Sequence, residues 1–68
     1  MEKDWVIVYT VDKSYKTQLA LEILNEQSIQ GVVIDKKDSA YLSFGDFEIY
    51  VNKKYETIAR ELLQKSNI

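Results

Sequence analysis

The chain has 68 residues, with nine lysines and arginines against eleven aspartates and glutamates, for a net charge of −2. This length allows one domain. A folded chain of this size buries only about 60 % of the surface that the unfolded chain exposes. The stability of the fold therefore depends on a well-packed core or on association with another chain. Because the sequence has no cysteine and no histidine, disulfides are excluded and a structural zinc site is strongly disfavoured. The hydrophobic fraction of 46 % favours a folded core over disorder.

Charge and hydropathy also narrow the class of partner. Acidic and basic residues are interspersed, without the basic stripe that would neutralise a nucleic-acid backbone or an anionic membrane. We therefore expect neither nucleic acid nor membrane as a partner. The first apolar run is short and follows Glu2 and Asp4, unlike a signal peptide. No stretch approaches the roughly 20 apolar residues of a membrane span, which predicts a cytoplasmic protein.

The first predicted strand covers residues 5–11, a run of β-branched and aromatic side chains. Strict alternation along this run gives the strand two apolar faces. Every second residue from the start of the run shares one face: Trp5, Ile7, Tyr9 and Val11. The other face carries Val6 and Val8.

A first helix is predicted over residues 15–27, with Asp12 or Ser14 as its N-cap. Leu21 falls on the face opposite to the expected core. Residues 28–31 end the helix, and Gly31 is expected to supply the positive φ that the turn needs. The predicted buried face consists of side chains at helical spacing, namely Tyr15, Leu19, Ala20, Ile23 and Leu24.

Two further strands, over residues 31–36 and 47–51, and a closing helix complete the chain. The last strand alternates, so that Phe47, Ile49 and Val51 face one way and Glu48 and Tyr50 the other. Asn52 is the predicted N-cap of the closing helix. That helix follows an uninterrupted amphipathic template, with predicted buried residues Tyr55, Ile58, Ala59, Leu62 and Leu63.

The order β-α-β-β-α predicts one α+β domain over residues 1–68, a ferredoxin-like open sandwich. A right-handed crossover makes the first two strands parallel. The third strand, antiparallel to both, fits between them in the order 1-3-2, with both helices on one face. The first strand is then an edge protected only by Lys3 and Asp4, which makes it a candidate surface for dimerisation or strand addition.

This layout resembles the DUF2007 family of small bacterial proteins, to which a signal-transducing role is ascribed. The matching features are the apolar strand 5–10, the helix end 24–29, the segment 36–41 with Phe44 and Gly45 after it, and the closing helix with Ala59 and the Leu62-Leu63 pair. Ser28 stands where the family often has glycine. The resemblance implies a ferredoxin-like fold and a regulatory or binding role, similar in architecture to PII and ACT ligand-sensing domains. It implies no catalytic residues.

The sequence shows no constellation of catalytic residues. Without histidine or cysteine, the commonest general base and the thiol nucleophile are missing. Ser39 could pair with Lys36 or Lys37, but a lysine in an exposed loop keeps its proton. The carboxylates around residues 37–45 lack the spacing of a calcium-binding loop. We therefore expect a non-enzymatic protein without metal or cofactor.

Two surfaces remain as candidates for function. The 37–45 connection either caps the core or forms a binding loop, whose candidate residues are Lys37, Asp38, Ser39, Tyr41 and Phe44. The uncovered sheet face and its edge give a candidate interface of Trp5, Ile7, Tyr9 and Tyr50. Alternatively, Trp5, Tyr50 and Leu21 are ordinary surface residues. The leading hypothesis is a regulatory domain that acts through protein–protein contacts, as a homodimer or with another protein. The alternative is a small-molecule sensor that binds a metabolite near the loop.

Overall fold

A computed structural model describes residues 3–36 and 47–68. The elements follow in the order β1 (Trp5–Val11), α1 (Ser14–Glu26), β2 (Gly31–Asp35), β3 (Phe47–Asn52) and α2 (Glu56–Ser66). The strands form one sheet in the order β1-β3-β2, and β3 is antiparallel to both neighbours. The predicted α+β fold and its strand order are confirmed, in agreement with a ferredoxin-like β-α-β-β-α arrangement.

The core lies between the sheet and the two helices. The central strand β3 alternates as predicted, with Phe47, Ile49 and Val51 buried and with Glu48 and Tyr50 half-buried on the opposite face. The helices contribute small and branched side chains that solvent does not reach: Ala20, Leu24, Ala59 and Leu63. Removal of this apolar surface from water is the main force that holds the layers together.

The start of α1 differs from the prediction. The residue before the helix is Lys13, in an extended conformation, and no side-chain cap forms at this end. The carboxylate of Asp12 instead lies 3.5 Å from the Lys16 ammonium group. It is therefore directed at a lysine one turn away and not at the free amides of the first turn.

The buried face of α1 is rotated from the predicted one. It is formed by Thr17, Ala20 and Leu24, whereas Tyr15 is 62 % exposed and Leu19 is 40 % exposed. The hydroxyl of Thr17 donates a hydrogen bond to the carbonyl of Ser14 at 2.6 Å, so its burial leaves no polar group unsatisfied. The prediction that Tyr15 and Leu19 belong to the core is wrong, because a threonine occupies a position facing the sheet.

The end of α1 is a Schellman motif. The amide of Ser28 donates to the carbonyl of Asn25, and the amide of Ile29 donates to the carbonyl of Leu24, both at 2.9 Å. Leu24 and Ile29 are both buried in the core, which matches the apolar pair that accompanies this motif. The residue with positive φ is Ser28, at 61°. The prediction that Gly31 takes this role is wrong, since its φ is not positive.

Gly31 is required for a different reason, namely the close approach of α1 to β2. A Cβ atom at this position would lie 2.8 Å from Cδ2 of Leu21 and 2.9 Å from Cδ1 of Leu24. Leu21, predicted to point away from the core, is half-buried above this glycine. The absence of a side chain at Gly31 therefore sets how closely the helix packs on this strand.

Asn52, the predicted N-cap of α2, instead caps the 3₁₀ turn that precedes this helix, and α2 itself begins after Tyr55 without a side-chain cap. The side chain of Asn52 accepts a hydrogen bond from the amide of Lys54 at 3.1 Å, which satisfies a free donor of the turn Lys53–Tyr55. Within α2 the predicted core positions Ala59 and Leu63 are fully buried, but Ile58 is 53 % exposed. The prediction for Ile58 is wrong, because the sheet covers a narrower face of the helix than its apolar stripe.

Candidate functional site

Strand β1 contains a β-bulge at Val8. Ile7 pairs with Tyr50, but Tyr9, two residues later, pairs with Ile49, the adjacent residue of β3. Two residues of β1 therefore oppose one residue of its partner at this point. A single extra residue reverses the alternation of side chains for the rest of the strand.

The reversal places most apolar residues of β1 on the face that packs against the helices. This inner face carries Val6, Val8, Tyr9 and Val11, all of which pack within or against the core. The prediction that Tyr9 and Val11 share a face with Trp5 and Ile7 is wrong. The hydroxyl of Tyr9 donates a hydrogen bond to the carbonyl of Ile68 at 3.0 Å, which ties the strand to the segment that follows α2.

The face of the sheet turned away from α1 and α2, here called the outer face, is mainly apolar. The register aligns Ile7, Tyr50 and Val32 in one row across the three strands. Trp5 and Ile34 flank this row, on β1 and β2 respectively. All five side chains are half-buried. In the described part of the chain, both helices pack on the opposite face, so neither helix covers these side chains.

The outer face is nearly uncharged. Within β1, β2 and β3, its only charged residue is Glu48. The carboxylate of Glu48 accepts a hydrogen bond from the Tyr50 hydroxyl at 3.0 Å and lies 3.9 Å from the Lys36 ammonium group. Burial, the hydrogen bond to Glu48 and the negative charge of Glu48, in that order, raise the pKa of Tyr50 above its usual value. The tyrosine therefore stays neutral as a hydrogen-bond donor on this face.

The outer edge of β1 is less open than the sequence predicts. Arg60 of α2 donates a hydrogen bond from Nη2 to the carbonyl of Ile7 at 3.3 Å. The same Nη2 atom lies 2.9 Å from a carboxylate oxygen of Glu56. Arg60 and the bulge thus protect the middle of this edge, beyond the predicted protection by Lys3 and Asp4. This makes strand addition at β1 less favourable than docking on the outer face.

The structure brings together three of the four predicted interface residues. Trp5, Ile7 and Tyr50 share the outer face, whereas Tyr9 lies on the inner face. The sequence prediction missed Val32 and Ile34, although the uninterrupted apolar run 32–34 indicates a strand with apolar residues on both faces. The candidate loop residues all lie outside the described part of the chain: Lys37, Asp38, Ser39, Tyr41 and Phe44.

Within residues 3–36 and 47–68, no group of three or more acidic, histidine or cysteine side chains is placed to hold a metal ion. Neither of the two described helices has the length and apolar character needed to cross a membrane.

No protein-family model matches the chain, and no curated protein or solved structure shows significant similarity to it. The resemblance to the DUF2007 family therefore stays a prediction.

Proposed function

We propose that this protein is a non-enzymatic, cytoplasmic regulatory domain that acts through protein–protein contacts, and that its outer face pairs with the same face of a second copy. The observation that carries the proposal is the row of Ile7, Tyr50 and Val32, with Trp5 and Ile34 beside it. Neighbouring apolar side chains on one surface are what an interface buries. A domain of this size also gains stability from any association that covers them.

Charge favours a second copy as the occupant. The one carboxylate of the outer face, on Glu48, is balanced by Lys36 and hydrogen-bonded to Tyr50. Two such faces can therefore stack without the like-charge repulsion that opposes self-association of charged surfaces. In a twofold dimer the same patch serves both subunits, so one uncharged apolar face is sufficient. Face-to-face sheets pack about 10 Å apart, a spacing that the side chains of both faces fill.

The size of the patch predicts weak affinity. The outer face consists of three residues of β1, three of β3 and two of β2, or eight in total. A standard interface uses roughly 20–30 residues on each side. We therefore expect a dissociation constant in the micromolar range or weaker, so that the association responds to protein concentration.

Sedimentation equilibrium over a dilution series from low micromolar to millimolar protein tests this proposal. The average mass should rise from the 8.0 kDa of one chain towards twice that value. Ile7→Lys and Val32→Lys should each keep the protein monomeric, because each places an ammonium group in the contact. Gln18→Lys, on an exposed position of α1, adds the same charge and should associate like the wild type. Circular dichroism identifies any variant that fails to fold.

Either of two results would overturn the proposal. The first is a wild-type protein that stays monomeric throughout the series. The second is a folded Ile7→Lys or Val32→Lys variant that associates as strongly as the wild type.

A further inference from the structure

A second apolar surface lies on the helices, on the opposite side of the molecule from the outer face. Three large apolar side chains are exposed in the described part of the chain: Tyr15 at 62 %, Leu19 at 40 % and Ile58 at 53 %. All three are helical, and none belongs to the outer face. Their position relative to one another follows from the contacts of neighbouring residues on each helix.

On α2, Ile58 lies on the side that faces α1. Ala59 is fully buried and points at the sheet. Arg60, one residue later, reaches the carbonyl of Ile7 in the edge strand β1. Successive helical residues are about 100° apart, so Ile58, one residue before Ala59, lies on the side opposite to Arg60. That side is turned away from β1 and towards α1.

On α1, the same reasoning places Leu19 on the side that faces α2. Ala20 is fully buried, and Leu21, one residue later, lies over Gly31 in the other edge strand, β2. Leu19 precedes Ala20 and therefore lies on the opposite side, towards α2. Each helix returns along the strand before it, and β1 and β3 are antiparallel, so the two helices are antiparallel as well. Leu19 and Ile58 thus lie on the sides of α1 and α2 that face each other, and the space between these two sides is here called the crease.

The crease is apolar at its base and open to solvent. Part of it forms a groove of 390 Å³, whose lining does not include Ile58. The groove is lined by Leu19, Ile23 and Ile68 together with Glu22, Asn25, Glu26 and Ser66. The side of the crease that α1 forms runs from Tyr15 to Glu26. At 1.5 Å per residue this is about 16 Å. This length corresponds to three helical turns, the size of a groove that receives one amphipathic helix.

The rim of the crease is acidic. Glu22 and Glu26 line the groove, and Glu61 lies one turn after Ile58 on α2. All three are exposed. In the described ranges the salt bridges are Lys16–Asp12, Lys36–Glu48 and Arg60–Glu56, so none of these three carboxylates has a cationic partner there.

We infer that the crease between α1 and α2 binds a basic amphipathic helix of another protein. Its apolar stripe would contact Leu19, Ile23 and Ile58, and its lysines or arginines would face the unpaired carboxylates of the rim. A third helix lying along two antiparallel helices packs by the same ridges and grooves as any helix pair. This inference is independent of the proposed pairing through the outer face, because the two surfaces share no residue.

Fluorescence anisotropy with two labelled synthetic helices tests the inference. Both peptides carry the same leucine stripe, one with lysine flanks and the other with glutamate flanks. The lysine peptide should bind at least tenfold more tightly than the glutamate peptide, and this preference should shrink at high salt. Leu19→Ser and Ile58→Ser should each weaken binding of the lysine peptide at least fivefold. Val32→Ser, on the outer face, is the matched control and should leave it unchanged.

Several results would overturn the inference. They are failure of the lysine peptide to bind, equal binding of the two peptides, or unchanged binding by folded Leu19→Ser and Ile58→Ser variants. Loss of binding only in Val32→Ser would move the site to the outer face. If Leu19→Ser and Ile58→Ser abolished self-association in sedimentation instead, the crease would belong to a dimer and not to a foreign helix.

Discussion

Ile7 and Tyr50 lie opposite each other on adjacent antiparallel strands, on the face of the sheet that neither helix covers. Val32 continues the same row on β2. The bulge at Val8 makes this arrangement possible, because it moves Tyr9 to the inner face and leaves Ile7 as the last apolar residue of β1 on the outer one. The proposed function depends on this row of side chains.

Ser28→Gly should stabilise the protein by about 0.5–1 kcal/mol. Ser28 holds the left-handed conformation of the Schellman motif, at φ 61°, and a side chain with a Cβ is strained there whereas glycine is not. Urea unfolding measures the difference. Glu26→Gly, two residues earlier and inside α1, is the control, and it should destabilise by up to about 1 kcal/mol. A Ser28→Gly variant that is less stable than the wild type would contradict this account of the helix end.

Gly31→Ala should destabilise the protein by about 1–2 kcal/mol, although alanine is ordinarily the better residue within a strand. The added methyl group would lie within 3 Å of side-chain carbons of Leu21 and Leu24. Leu24 is fully buried, so its side chain would have to shift within the core. Leu21→Ala in the same chain should recover only part of the loss, because the contact with Leu24 remains. Thermal or urea unfolding compares the wild type, Gly31→Ala and the double variant with Leu21→Ala. An unchanged stability for Gly31→Ala would count against the close packing of α1 on β2.

Leu63→Ala and Ile58→Ala should lower the free energy of unfolding by very different amounts, although both residues lie in the apolar stripe of α2. Leu63 is fully buried, so its truncation should cost about 2–5 kcal/mol. Ile58 is 53 % exposed, and its truncation should change the free energy of unfolding by less than about 0.5 kcal/mol. Urea unfolding of the two variants compares them directly. Equal losses would mean that Ile58 is part of the core after all.

Alkaline pH should weaken the fold through Tyr50. The folded-state pKa of Tyr50 is raised above the unfolded value of about 10, so the folded state holds this proton more tightly. The contribution of Tyr50 to the free energy of unfolding is present in full below a pH of about 10. It is lost as the pH rises through the folded-state pKa. Unfolding free energies at neutral and alkaline pH should therefore fall more for the wild type than for Tyr50→Phe.

Glu48→Gln tests whether the carboxylate of Glu48 helps to raise the pKa of Tyr50. It removes the negative charge beside the tyrosine and keeps a hydrogen-bond acceptor, so absorbance titration should find a lower pKa for Tyr50 than in the wild type. If Tyr50→Phe and the wild type lose stability in parallel above neutral pH, the Tyr50–Glu48 contact does not contribute.

The helices and strands with a strong hydrophobic period were predictable from the sequence. The set of residues on the outer face was predictable only in part. The alternation of β3 indicates directly that Ile49 and Val51 are buried, and strand order follows from the sequence of elements. No residue type marks the bulge at Val8, whose effect on Tyr9 depends on pairing with β3. The rotation of α1 likewise depends on burial of Thr17, a polar residue that an apolar pattern leaves out. The predicted loop residues lie outside the described ranges.

A methyl and indole NMR titration tests self-association through the outer face residue by residue. The concentration of isotopically labelled protein is fixed, and unlabelled protein is added in increasing amounts. Pairing through the outer face should give concentration-dependent shifts confined to the Trp5 indole and to the methyl groups of Ile7, Val32 and Ile34, while the methyl groups of Leu19 and Ile58 stay constant. Resonances of the outer face that do not change up to millimolar protein, or shifts confined to the helices, would contradict it.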